Sequence, residues 1–316
     1  MLINKLTDKF ADKPIFHLKT NQASQLISFI QSKKPVKISG LIDHWPALKW
    51  TFQSLSDLHG QRTVKALLDL PNNNGGILFK DQSSYEQMMA FSDFITRALQ
   101  PHQAPCYLGY LRATDLLSGY ENNYDFSSLT PLSSYPTDTR LWIGSMNTCS
   151  GLHSDLKDNI FSQLVGTKKV FLVPFNQSHL VYPFIDNIVN SQVNPEKMDT
   201  KKFPKFMNAH LYSTTVEPGE ILFIPRGWWH YLHAETPSIS INHWFGQPIS
   251  SATYLMLLTR LGPRYIWQTI KDMVRYSILK KTYKKEFFFT PASTGERLFN
   301  LIRYGDFSKE NNPIDT

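Results

Sequence analysis

Cysteine is nearly missing from this chain: Cys106 and Cys149 are the only two in 316 residues. Two distant cysteines make no disulfide framework and have no metal-knuckle spacing, which excludes a cross-linked secreted scaffold and favours a reducing compartment. Long apolar runs are missing too. No stretch approaches the roughly 20 residues of a membrane span, and the opening Met1-Leu2-Ile3-Asn4-Lys5-Leu6-Thr7-Asp8-Lys9 is mixed and charged, with no signal-peptide core. The expectation is a protein of the cytoplasm, or of the nucleus in a eukaryote. With 41% hydrophobic and 13% aromatic residues the composition is not that of a disordered chain. The length suits one large domain, or one domain with an appendage.

Acidic residues are scarce in one place. Residues 260–285 hold eight Lys or Arg against the single acid Asp272, so this segment alone carries a charge equal to the formal +7 of the whole chain. Two readings stand: a solvated helical face, or a patch for an acidic partner, RNA or a membrane surface.

The chemistry lies in Gly151-Leu152-His153-Ser154-Asp155, answered far downstream by His230 in Pro225-Arg226-Gly227-Trp228-Trp229-His230. Two imidazoles and a carboxylate are what a facial triad needs: they occupy one face of an iron(II) octahedron and leave the other open. Residues at i and i+2 project to the same side of an extended strand, so His153 and Asp155 can reach one metal, and His230 must arrive on another strand. Asn159 follows Asp155 by four residues and Lys168 by thirteen. A buried lysine beside such a site suits a dianionic co-substrate, because its ammonium pairs with the carboxylate the metal does not hold.

Taken together, Leu141-Trp142-Ile143-Gly144, Leu152-His153-Ser154-Asp155, Asn159, Gly166-Thr167-Lys168, Gly219-Glu220-Ile221-Leu222-Phe223-Ile224-Pro225, Trp229-His230 and Ser240-Ile241-Asn242-His243-Trp244-Phe245 resemble the JmjC, cupin-like family of iron(II)- and 2-oxoglutarate-dependent oxygenases, in its hydroxylase branch. The resemblance spans residues 35–246. It implies metal ligation by His153, Asp155 and His230. It also implies that Lys168 holds the distal carboxylate of 2-oxoglutarate, with hydroxyls from Tyr107 and Ser150, and that the amides of Asn159 and Asn242 orient the metal-bound carboxylate. Tyr110 competes with Tyr107, though its opposite strand parity argues against it. Trp142 and Trp244 wall the pocket or are core aromatics. His233 and His243 are set aside as ligands on parity.

Many short β segments divided by turns point to a mainly β fold with flanking helices, a double-stranded β-helix or jelly roll. The expected organisation is an N-terminal arm and helix over residues 1–34, a catalytic domain over 35–248 and a C-terminal helical region over 249–316. Strong turn chemistry falls at 70–76. Helices are expected near 50–58, 85–99, 251–261, 264–281 and 293–303, the last opened by a capping box of Ser293 and Glu296. Residues 117–138 and 174–204 read as irregular segments facing the substrate cleft. The resemblance further implies iron(II), 2-oxoglutarate and dioxygen, a protein or peptide substrate, and a homodimer through the C-terminal helices. RNA or a small molecule is the alternative substrate, and a catalytically silent binding protein of the same fold is the alternative of another class.

Overall fold

Alternation along the strands decides which face of each sheet is which. A computed structural model describes residues 13–71, 82–283 except 102, 118 and 133, then 292–305 and 307. Its strands are β1 (Lys13–Pro14), β2 (Phe16–Lys19), β3 (Val36–Ser39), β4 (Thr63–Leu67), β5 (Glu86–Ala90), β6 (Tyr107–Arg112), β7 (Asp138–Gly144), β8 (His153–Ser154), β9 (Asp158–Val165), β10 (Lys168–Val173), β11 (Tyr212–Val216), β12 (Glu220–Ile224), β13 (Trp229–Ala234) and β14 (Ser238–Phe245). They form a nine-stranded sheet in the order β2-β3-β12-β9-β14-β7-β6-β4-β5 and a five-stranded sheet in the order β1-β11-β10-β13-β8.

The central strands of the larger sheet are buried on both faces: β12 reads as a nearly continuous apolar run, whereas β9 buries Asp158, Asn159, Ser162 and Gln163 among its apolar residues. On β9 and β12, Ile160, Leu164, Ile221 and Phe223 pack outward against the helices Leu26–Ser32, Phe52–His59 and Phe91–Leu99. Phe161, Leu222 and Ile224 face the other way and meet Val170, Leu172, Val216 and Leu232 of the smaller sheet. That layer between two sheets is the interior of a jelly roll. The smaller sheet has a core on its outer face as well, where Phe171, Val173, Trp229 and Tyr231 are covered by Val181, Val193, Phe203, Phe206 and Leu211.

The sequence expectations meet this fold unevenly. Residues 85–99 are not one helix: Glu86–Ala90 is an edge strand on β4, and the helix starts at Phe91. Pairing with β4 overrides the local helical pattern of Glu86-Gln87-Met88-Met89-Ala90, a tertiary choice that propensity does not predict. Residues 174–204 do not simply face a cleft, since Val181, Val193 and Phe203 among them belong to the outer core just named. Much of 117–138 likewise lies behind the larger sheet, where Phe126 stacks on His243 with ring centroids 4.5 Å apart. Ser293 opens the last helix as the capping box predicts: its hydroxyl accepts from the Glu296 N–H, and the Glu296 carboxylate accepts from the Ser293 N–H. The turn at 72–76, the start of the N-terminal arm, the end of the chain and Lys284 and Lys285 lie outside the described residues.

The C-terminal helices Ser251–Leu261 and Thr294–Tyr304 bury Tyr254, Leu257, Leu258 and Leu298 against Ile188 and Ile249. The six described basic residues of the charged segment are all exposed. Both cysteines are buried, and they do not form a disulfide with each other. Among the described residues no helix is long and apolar enough to cross a membrane.

Candidate metal and co-substrate site

His153 and His230 sit directly opposite each other where β8 pairs with β13, and their rings approach with centroids 4.2 Å apart. The backbone presets which nitrogen each ring offers. His153 Nδ1 lies 3.0 Å from the Gly151 carbonyl, and His230 Nδ1 lies 3.0 Å from the Trp228 carbonyl. A carbonyl oxygen can only accept, so each Nδ1 carries the proton and each Nε2 presents a lone pair. Those two Nε2 atoms converge on Asp155, at 4.0 Å from Oδ1 for His153 and 3.4 Å from Oδ2 for His230. One donor atom from each of the three residues lies within 4.8 Å of the others. Burial first, then the neighbouring His153, push the His230 pKa down to about 4 against the pull of Asp155. A neutral imidazole is the form that ligates a metal. Two imidazole nitrogens and one carboxylate are the donor set of a facial iron(II) site.

Asp155 is braced from three directions. Its Oδ2 accepts from Trp244 Nε1 at 2.7 Å and from the Asn159 amide at 3.2 Å. Its carbonyl accepts from the Gly227 N–H at 2.8 Å, which ties the turn before His230 to the turn after His153. Gly227 holds φ +80°, and a Cβ there would stand 2.7 Å from the Phe175 ring, so that turn requires glycine. Asn242 acts one step further back than expected. Its amide donates to Asn159 Oδ1 at 3.2 Å, so it orients Asn159, which in turn orients Asp155. Trp244 is the residue that sequence reasoning undervalued. Its even-numbered place on β14 beside Asn242 put it on the site face, but an indole N–H aimed at the carboxylate is visible only in three dimensions.

Lys168 opens β10 and is 4% exposed. Its Nζ donates to Ser240 Oγ at 2.9 Å and lies 5.4 Å from the Phe161 ring centroid and 5.9 Å from that of Tyr107. Burial pushes its pKa down to about 7. Tyr107 is buried beside it, and burial followed by the nearby Cys149 raises its phenol. The ring fits because β7 offers Gly144 opposite: a Cβ there would stand 2.5 Å from Tyr107 Cδ2. Ser150 pairs with Leu232, its hydroxyl accepting from the Leu232 N–H at 3.2 Å.

Parity fails as an argument against Tyr110. A bulge between Leu108 and Leu111 shifts the β6–β7 register, and Tyr110 takes φ 59°. Its ring therefore meets Trp142 and Trp244, each with centroids 6.0 Å apart, on the same side as Tyr107. Tyr107 stays next to Lys168, while Tyr110 joins the two tryptophans in an aromatic wall with Arg140 stacked 4.3 Å from its ring centroid. His243 faces away, its Nδ1 2.7 Å from Thr139 Oγ1, and His233 lies on the outer face of the smaller sheet with Tyr231.

A model of the cupin-like domain family matches residues 22–251. A Xenopus tropicalis protein named lysine-specific demethylase 8 is 31% identical over 226 residues, which are 69% of this chain and 49% of that one. The Jumonji C domain-containing protein 5 of Drosophila melanogaster is 27% identical over 230 residues, 68% of this chain and 55% of the fly protein. The bovine HSPB1-associated protein 1 is 26% identical over 244 residues, 71% and 50% of the two chains. The chain spans about half the length of these curated relatives. The jelly roll and the family match overlap over most of the described residues, and the chain belongs to the cupin-like (JmjC) domain family, whose members in general depend on iron(II) and 2-oxoglutarate.

Proposed function

We propose that the chain is an iron(II)- and 2-oxoglutarate-dependent oxygenase that hydroxylates a side chain of a protein or peptide. The observation that carries this reading is the triad of His153, Asp155 and His230 in the same interior as the buried, singly accepted ammonium of Lys168. When bound, iron(II) with 2-oxoglutarate supplies a dioxygen-derived oxidant and leaves succinate and carbon dioxide. The protein's own part is geometric. His153, Asp155 and His230 hold the metal, and Trp244 and Asn159 keep Asp155 in one orientation. Lys168 pairs with the far carboxylate of the co-substrate, with Tyr107 and Ser150 beside it. Tyr110, Trp142 and Trp244, packed edge-on and tilted against one another, form the aromatic wall that keeps water from the reacting centre.

Demethylation is the second reading, favoured by the relatives named lysine-specific demethylases. The same C–H oxidation on an N-methyl group ends in formaldehyde and a shortened amine, so substrate alone separates the outcomes. Purified protein with iron(II), 2-oxoglutarate and peptide pools tests both. Succinate with a peptide gaining one oxygen atom supports hydroxylation. Formaldehyde with loss of a methyl group would replace it by demethylation. Succinate release that persists unchanged in His153→Ala, Asp155→Ala or His230→Ala would remove that residue from the triad.

A further inference from the structure

A second cluster of metal-ligating side chains lies on the outer face of the smaller sheet. On β13 Tyr231 and His233 alternate away from His230, and Cys149 forms a bridge with His233. Glu196 reaches them from the segment that covers this face. His233 Nδ1 is 2.8 Å from Glu196 Oε2, and its Nε2 is 3.3 Å from Asn147 Oδ1. The Tyr231 hydroxyl is 2.9 Å from Glu196 Oε2 and 3.2 Å from Cys149 Sγ. One donor atom each from Cys149, Glu196 and His233 lies within 4.8 Å of the other two.

The groups of this cluster are hydrogen-bonded among themselves, the Cys149 thiol also has the Asn147 carbonyl 3.7 Å away, and, against burial, Lys169 helps to lower the Glu196 pKa. What the cluster offers a cation is a sulfur, a carboxylate and an imidazole brought together from three segments of the chain. A nucleophilic cysteine is excluded. Burial pushes the Cys149 thiol up to about 12, and the His233 nitrogens address Glu196 and Asn147, not the sulfur.

We propose that Cys149, Glu196 and His233 form a second metal site, separate from the His153-Asp155-His230 triad, that takes zinc(II). A sulfur, an imidazole nitrogen and a carboxylate oxygen make a borderline-soft set that suits zinc and not the magnesium or calcium of all-oxygen sites. Tetrahedral bonds of about 2.0–2.3 Å place donor atoms roughly 3.3–3.8 Å apart, so small side-chain rotations close the site. With Nδ1 on the metal, His233 Nε2–H donates to Asn147, which fixes the tautomer. The three donors come from three segments: Cys149 from the turn leading to His153, His233 from the strand of His230, and Glu196 from the outer covering segment. Zinc here ties that covering segment to both strands that carry the triad.

Cobalt(II) is the probe, titrated alone into metal-stripped full-length protein. A thiolate-to-cobalt charge-transfer band needs a cysteine ligand, and the triad has none, so the band reports this site even where cobalt also fills the triad. The expected result is a band that saturates at one equivalent, persists in His153→Ala, disappears in Cys149→Ser and is displaced by zinc. No band in folded wild type, a band retained in Cys149→Ser, or a band lost in His153→Ala overturns the proposal. Should Cys149→Ser fail to fold by near-ultraviolet circular dichroism, Glu196→Gln decides. A tenfold or greater fall in cobalt affinity at the band is expected, and an unchanged affinity overturns the site.

Discussion

Lys168→Met tests the co-substrate pocket from both sides. Methionine keeps an unbranched apolar stem of similar length and removes the ammonium. That ammonium has three donors and, among the described residues, one acceptor oxygen, that of Ser240. Its pKa of about 7 stands against about 10.4 for a free lysine, so holding the proton at pH 7 costs about 4–5 kcal/mol relative to the unfolded chain. Replacing it with an apolar side chain should therefore stabilise the protein without co-substrate, by about 1–4 kcal/mol once relaxation is allowed for. The same change should weaken 2-oxoglutarate by about 1.5–3 kcal/mol, a tenfold to hundredfold rise in Kd, because a charge-assisted bond is lost. Scanning calorimetry and anaerobic titration of the iron(II) protein, on one preparation, read both. The pH dependence has a definite direction. The folded pKa lies below the unfolded one, so between about pH 7 and about 10.4 the unfolded chain holds the extra proton and wild-type stability rises with pH. The advantage of the variant is thus greatest below pH 7 and fades towards pH 10. Wild-type affinity for 2-oxoglutarate should fall above pH 7, by up to about tenfold per unit, since binding must then take up a proton. A variant that is less stable at pH 7, or that binds 2-oxoglutarate as wild type does, would refute the assignment of Lys168.

Trp244→Phe removes the indole N–H from Asp155 while keeping a ring in the wall, and metal affinity should drop about 10- to 100-fold; an unchanged metal Kd would make Trp244 a wall residue alone. Asn159→Ala should cost more metal affinity than Asn242→Ala, because Asn242 reaches Asp155 only through Asn159, and the reverse order would break the relay. Gly144→Ala pushes a methyl against the Tyr107 ring, so a loss of about 1–3 kcal/mol in stability is expected, together with weaker 2-oxoglutarate binding. Wild-type values for both would show that Tyr107 yields without consequence.

The local parts of the site were legible in the sequence because they depend on short-range geometry. The i and i+2 spacing of His153 and Asp155 needs only an extended backbone, and strand parity separated Asn242 from His243 correctly along a regular strand. The same rule misjudged Tyr110, because a bulge inserts residues out of register, and Gly109 inside the strand is the residue that signals it. It also left Trp244 undefined, since parity gives a face but not a hydrogen-bond partner. Residues 86–90 read as helix for a related reason: an edge strand is held by its neighbour, and that neighbour, β4, was not recognisable as one.

The sequence by itself determined the donor set, the alternation of the long strands and the mainly β class, all consequences of residue type and period. Only the tertiary structure decided that β8 lies against β13, that Lys168 is enclosed beside Tyr107, and that Cys149, Glu196 and His233 meet on the far face. Those encounters join segments distant along the chain. They are selected by burying the two faces of each sheet at once, an energy that depends on every strand together and on no single stretch.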